Sequence, residues 1–243
     1  MSSCAVVIPI YNERERFSLS EFDNLLGFEE LTLIVIDDGS SDDLLEFLQQ
    51  KYLHKRSCRF IRFSINQGKS EAVRKGISIA MEDNFDFIGV LDGDFSYSAK
   101  EFKRLLEYAS FSDVDVVSGV RTFSNSKSLL LSLRLWQGLA FRYFVNVAFF
   151  TKFRDIQCGL KIFKSTSISI ASLETPFINA WLYDLELLLR NQDLMRLYRE
   201  VELNYWEHKT LSNLKLAQVP KILLCVLRLR FKYGRMKVMF DSK

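Results

Sequence analysis

The sequence is short of several things. It holds three prolines and ten glycines in 243 residues, too few for a disordered linker or a low-complexity tract. It shows no internal repeat. Its four cysteines, Cys4, Cys58, Cys158 and Cys225, are scattered and form no Cys-x-x-Cys pair. That argues against a disulfide framework or a cysteine zinc site and points to a reducing compartment. The two histidines, His54 and His208, lie far apart, so a histidine-rich metal site is unsupported. No stretch reaches the roughly 18 apolar residues that a spanning helix needs. No basic residue precedes the first apolar stretch and Pro9 interrupts it, so no signal peptide is expected. No Gly-x-Gly-x-x-Gly follows that stretch, which disfavours a dehydrogenase.

What is present suits a folded domain with a sizeable core. The chain is 48% hydrophobic and 26% charged, and its length fits one large α/β domain or two small ones. Apolar runs at Ala5–Ile8, Leu31–Ile36, Phe60–Phe63, Phe85–Leu91 and Val114–Ser118 read as strands. Between them, helices are expected after Ser41-Asp42-Asp43, over Gly68–Met81 and over Ala99–Ala109. Strands alternating with helices predict an α/β fold with a mainly parallel central sheet flanked by helices. Beyond residue 122 the pattern changes. Lys127–Phe150 predicts one or two amphipathic helices, with Lys127, Arg134 and Arg142 on one side, and Glu200–Trp206 a late strand.

In parallel sheets, ligands bind outside the carboxyl ends of the strands. Asn12-Glu13, Asp37-Asp38, Asn66-Gln67-Gly68-Lys69, Asp92-Gly93-Asp94 and Arg121 all follow predicted strands. A polar turn must follow any strand. That need explains poorly why these turns are acidic, amide-rich and followed by an arginine. Two carboxylates around one glycine at a strand end suit a hard divalent cation, such as Mg²⁺ held by one or two carboxylates plus substrate phosphates.

Val7-Ile8-Pro9-Ile10-Tyr11-Asn12-Glu13, Ile36-Asp37-Asp38-Gly39-Ser40-Ser41-Asp42, Asn66-Gln67-Gly68-Lys69 and Leu91-Asp92-Gly93-Asp94 together resemble the family 2 glycosyltransferases with a GT-A nucleotide-diphospho-sugar transferase fold. Arg154-Asp155-Ile156-Gln157-Cys158-Gly159-Leu160-Lys161-Ile162-Phe163 and Trp181-Leu182-Tyr183-Asp184-Leu185-Glu186-Leu187 are similar to the polyprenyl-phosphate hexosyltransferases, particularly the dolichyl-phosphate glucosyltransferase branch. Dolichyl-phosphate mannose synthases share the layout. The resemblance implies an inverting transfer of a hexose from a nucleotide-diphosphate sugar, UDP-glucose or similar, to a polyprenyl phosphate, with Mg²⁺ or Mn²⁺ as cofactor. It implies that Pro9, Tyr11, Glu13, Asp37, Asp38, Lys69, Asp92 and Gly93 surround the nucleotide sugar, and that Asp94, with Asp92, holds the metal. Arg121 and Lys161 would contact phosphate, Asp155 would lie near the reacting centre, and Asp184 on the acceptor side. Mannose synthases often have a glutamine shortly after the acidic pair. This chain has Phe95-Ser96-Tyr97 there, which leaves a third protein ligand open.

The resemblance also implies a catalytic domain over 1–214, its nucleotide-sugar half about 1–122 and its acceptor half about 123–214. A basic amphipathic segment, 215–243, would follow. The overall charge of +3 divides into +7 from Lys215 to Lys243, with eight basic residues and one acid, and −4 elsewhere. Over Val219–Tyr233, Lys221, Arg228 and Lys232 align with Arg235 on one helical stripe, with Ile222, Leu223, Val226, Leu227 and Leu229 filling much of the rest. Such a helix reads either as a membrane-surface element or as a terminal helix docked on the domain. With a lipid acceptor, the expected location is the cytoplasmic face of a membrane, as a peripheral protein. A broad basic face is missing, so nucleic acid is not an expected partner. Two other readings stay open: a transferase acting on a glycan hydroxyl, for which Asp155 and Asp184 are the candidate general bases, and a sugar-nucleotide-binding protein without turnover.

Overall fold

A computed structural model describes residues 2–122, 132–192, 197–207 and 219–234, without side-chain detail for 132–137 and 219. Seven strands form one sheet: β1 (Cys4–Ile10), β2 (Leu31–Asp37), β3 (Cys58–Arg62), β4 (Phe87–Leu91), β5 (Val116–Val120), β6 (Leu160–Lys164) and β7 (Tyr198–Glu202). Their spatial order is β3-β2-β1-β4-β6-β5-β7. Every pairing is parallel except those of β6, which runs antiparallel to both β4 and β5. The helices are α1 (Leu19–Leu26), α2 (Leu44–Tyr52), α3 (Lys69–Glu82), α4 (Ala99–Phe111), α5 (Ser132–Phe149), α6 (Tyr183–Arg190) and α7 (Val219–Tyr233).

Side chains alternate across a strand, so the two faces of β1 feed two cores. Ala5 and Val7 pack with Ala72, Val73 and Ile77 of α3 and with buried residues of α5, α6 and α7. Cys4, Val6, Ile8 and Ile10 pack with Phe22 and Leu25 of α1, Leu44, Leu45 and Leu48 of α2, and Phe102, Leu105 and Leu106 of α4. Both faces being covered, the strands read as continuous apolar runs. Burial of each large side chain contributes about 1.5–3 kcal/mol. Two helices are fixed by side-chain caps. Ser18 accepts from Glu21 N at the start of α1, and Ser98 from Glu101 N at the start of α4.

The expected strands and helices of the first half are all present, with ends shifted by one or two residues. Three elements escaped the sequence reading. Helix α1 is only eight residues long. Helix α6 is only eight residues long, and its Asp184 and Glu186 are buried with its apolar residues, so no exposed polar face marks its period. Strand β6 carries Lys161, fully buried, in the middle of its apolar run. Helix α7 docks on the domain through one side and leaves another exposed. Ile222, Cys225, Val226 and Leu229 enter the core, whereas Leu224, Leu227 and Phe231 are exposed beside Lys221, Arg228 and Lys232. Lys127, His208 and Arg235 lie outside the described residues, as does the side chain of Arg134. Among the described residues, no helix is long and apolar enough to cross a membrane.

Candidate active site

The ends of three parallel strands, β1, β2 and β4, and the loops after them carry Glu13, Asp37, Asp38, Asp92 and Asp94. Asp38 follows β2 and is satisfied by the loop after β3: its carboxylate accepts from Asn66 Nδ2 at 2.9 Å, Gln67 N at 2.7 Å and Gly68 N at 2.8 Å. Burial raises its pKa in spite of the two backbone bonds. Asp37 accepts from Ser40 N at 3.0 Å and pairs with Arg62 Nε at 2.9 Å. Both aspartates therefore shape the walls of the site. The loop they hold ends at Gly68, whose φ of +95° suits glycine. A Cβ there would lie 2.5 Å from the Ala180 Cβ. Just past it, Ser70 N donates to Ala180 O at 2.9 Å, so the segment before α6 closes over the N-terminus of α3.

Lys69, at the first position of α3, reaches across to β4. Its ammonium lies 2.5 Å from Asp92 Oδ1. Burial works against the lysine charge, but Asp92 outweighs it and the pKa is raised. Asp92 N donates to Gly159 O at 3.1 Å, and a Cβ on Gly159 would fall 2.0 Å from Asp92 Oδ2. Only glycine lets the carboxylate lie in this position. Gly93 also passes close to β1, where a Cβ would meet Pro9 O at 2.6 Å. Pro9 is thus buried under the loop, while Tyr11 is half-buried beyond the end of β1.

Asp94 accepts from Ser96 N at 2.9 Å. Its pKa is raised, first by burial and then by the neighbouring charge of Asp92. Glu13 pairs with Arg16 Nη2 at 2.6 Å through Oε1, and its Oε2 is buried without a partner. Burial, aided by Asp94 and Asp92, pushes its pKa up to about 7. Three carboxylates thus repel one another here, which a divalent cation would relieve. Among the described residues, no group of three or more histidine, cysteine or acidic side chains is placed to hold a metal. Asp92 and Asp94 fit a cation that takes its remaining oxygen ligands from a diphosphate and water.

The segment between α5 and β6 supplies the rest. Asp155 and Arg121 form a two-pronged pair, with Nε–Oδ2 at 2.7 Å and Nη2–Oδ1 at 2.8 Å, and Arg121 N also donates to Oδ2 at 3.2 Å. Burial would raise the pKa of Asp155, but the arginine overrides it and holds the carboxyl below its ordinary value. Arg121 remains one-third exposed along its side chain. The sequence reading has Lys161 touching a phosphate. The structure instead buries its ammonium completely, donating to Cys158 O at 2.5 Å and to Asp184 Oδ2 at 3.2 Å. A buried ion pair holds Asp184 in place and leaves neither partner open to solvent. Cys158 is packed in the core, and burial pushes its thiol up to about 11.

Sequence reasoning placed most of these residues but gave no role to Gly159 or Tyr97. The Tyr97 hydroxyl accepts from Gly159 N at 3.1 Å and so braces the same turn. The signal for Gly159 was its place in the Cys158-Gly159-Leu160 stretch. No local pattern marks Tyr97.

The model for "Glycosyl transferase family 2" matches residues 5–169. A dolichyl-phosphate beta-glucosyltransferase of Dictyostelium discoideum is 26% identical over 249 residues, covering 94% of this chain and 74% of that one. An undecaprenyl-phosphate 4-deoxy-4-formamido-L-arabinose transferase of Photorhabdus laumondii is 35% identical over 130 residues, 51% of this chain and 38% of that one. Among solved structures, glucosyl-3-phosphoglycerate synthase from Mycobacterium tuberculosis, in complex with Mn²⁺, uridine diphosphate and phosphoglyceric acid, superposes with a TM-score of 0.68 at 16% identity. The match covers 99% of this chain and 80% of that one. The likeness is one of fold, and the fold is the GT-A arrangement expected from the motifs.

Proposed function

We propose, from the premise that this chain belongs to glycosyl transferase family 2 and is a glycosyltransferase, that it moves a hexose from a nucleotide-diphosphate sugar to a polyprenyl phosphate at a membrane surface. The single observation that carries the acceptor is the state of the two candidate bases. Asp155 is neutralised by Arg121 and Asp184 by Lys161. A sugar hydroxyl would need a general base with a pKa near neutrality. A phosphate, with a second pKa on the order of 6, brings its own ionised oxygen. The site is better suited to the second. The names of the relatives point the same way, and their names favour glucose as the hexose and UDP as its carrier.

The donor would lie across the ends of β1, β2 and β4, between Glu13, Lys69 and Asp92. Asp94, with Asp92, would hold Mn²⁺ or Mg²⁺ against the diphosphate. A cation bound there supplies Lewis-acid stabilisation of the leaving group. Lys69 and Arg121 add fixed positive charge where the diphosphate departs. Asp155 keeps Arg121 oriented through two parallel bonds and requires no proton transfer. Attack from the face opposite the diphosphate would invert the anomeric carbon.

The membrane surface would be met by the outer side of α7 and its neighbour α5. Phe231, Leu224 and Leu227 on α7, Tyr143 and Val147 on α5, and Phe150 just past the end of α5 are exposed. The Arg230 guanidinium lies 6.0 Å from the Phe150 ring, joining the two helices. Apolar side chains flanked by Lys221, Arg228 and Lys232 suit an anionic leaflet, where each basic residue contributes about 1 kcal/mol. A cytoplasmic leaflet fits that charge and the reduced cysteines.

The test is label transfer from a panel of nucleotide sugars into polyprenyl phosphate, with Mn²⁺ or Mg²⁺, in detergent and on vesicles. Transfer from one donor, abolished by chelation and in Asp94→Ala, is the expected result. No lipid product from any donor, alongside transfer to a glycan, would overturn the acceptor.

A further inference from the structure

Tyr183 opens α6 and is 2% exposed, yet its hydroxyl has no hydrogen-bond partner. Buried polar groups are normally satisfied, and a native structure that leaves one orphaned carries a cost that calls for a reason. A phenylalanine would pack equally well and avoid that cost. The surroundings supply the reason. The Lys69 ammonium, which holds Asp92, lies 5.9 Å from the centre of the Tyr183 ring. Burial, then the charges of Asp184 and Asp92, keep the phenol protonated by raising its pKa far above the ordinary value. It is therefore a hydrogen-bond donor, carried on a ring that lies beside Lys69. Ser70, next to Lys69 on α3, carries a second buried hydroxyl without a partner. Helices α3 and α6 pack together, so the two helices that carry these orphaned hydroxyls meet.

We propose that the Tyr183 hydroxyl is a specificity-determining donor that binds an oxygen of the donor sugar, and not the nucleotide. The inference rests on the reading of this site as one for a nucleotide-diphosphate sugar. Lys69, a quarter exposed, lies 5.9 Å from the ring centre, which places the phenol beside a residue that the donor would meet. The bond then formed satisfies an atom that folding alone leaves unsatisfied. A site built to bond a substrate oxygen discriminates strongly, because the wrong sugar leaves its buried group unpaired.

The experiment compares the full-length chain with Tyr183→Phe in three measurements. Calorimetry with Mn²⁺ gives the affinity for UDP and GDP, and for UDP-glucose and GDP-mannose. Turnover gives kcat/KM for the preferred sugar nucleotide. Thermal unfolding gives Tm. The expected variant binds the nucleoside diphosphate within twofold of wild type, binds the preferred nucleotide sugar or turns it over about tenfold less well, and keeps or raises its Tm. Ser70→Ala serves as a second variant and should show the same pattern to a smaller degree. The proposal is overturned if Tyr183→Phe handles the nucleotide sugar as wild type does, if it weakens UDP or GDP equally, or if its Tm falls by several degrees. A wild-type protein that binds neither nucleotide sugar would overturn the donor reading itself, a result separate from any effect of the variant.

Discussion

Gly159→Ala should separate activity from stability. A methyl group there would sit 2.0 Å from Asp92 Oδ2 and 2.5 Å from Oδ1. Real contacts of this kind need about 3 Å or more, so the carboxylate must retreat by about 1 Å. It is the far end of a side chain and is one-quarter exposed, so it can move without disturbing the core. The stability cost should stay below about 1 kcal/mol, which for a chain of this size shifts Tm by roughly 2–4 °C. The activity cost is another matter. Moving Asp92 breaks its 2.5 Å contact with Lys69 and alters its distance to Asp94. A misplacement of about 1 Å at reacting groups costs on the order of 100-fold. Steady-state kinetics of sugar transfer, with thermal unfolding of the same samples, would show kcat/KM falling about 100-fold and Tm nearly unchanged. A variant with kcat/KM within threefold of wild type would refute the reasoning, since Asp92 would then tolerate displacement. Collapse of Tm would refute it differently, showing the contact to be structural.

Three other outcomes are expected. Lys161→Met leaves Asp184 buried and unpaired, so it should cost about 3–5 kcal/mol, whereas the double variant Lys161→Met with Asp184→Leu should recover most of that in denaturant titrations. Glu13 has its pKa raised to about 7, so the folded protein keeps a proton that the unfolded chain releases from about pH 4.5 upward. Stability contributed at low pH is thereby lost as pH rises towards 7. In metal-free protein, Glu13→Gln should gain Tm relative to wild type across that window, and a constant difference would count against the buried carboxyl. Burial pushes Cys4 up to about 12 and Cys58 and Cys158 up to about 11, so these thiols should react with a disulfide reagent at pH 8 only on unfolding.

The first half of the fold was legible because its signals are local. Continuous apolar runs, helix-start residues and polar turns after strands all act within a few residues. Asp37, Asp38, Asp92 and Asp94 were found for the same reason: each follows an apolar run that ends where ligands bind. Strand β6 was hidden because its charged residue is neutralised by Asp184, which lies 23 positions away in sequence. The partnerships of Arg121 with Asp155 and of Tyr97 with Gly159 were hidden likewise, since they span 34 and 62 positions.

By itself, then, the sequence determined the alternating α/β order and the acidic strand ends, because hydrophobic period and turn chemistry are written in neighbouring residues, and it pointed to the glycosyltransferase class through the resemblance of its motifs. Only the tertiary structure decided what those residues are free to do. It turned Lys161 from a phosphate ligand into a buried support for Asp184, and Asp155 from a candidate base into the partner of Arg121. It also divided α7 between core and surface. Charge state and exposure depend on which groups the antiparallel β6 and the returning α6 bring together, and contacts so distant along the chain leave no local pattern to read.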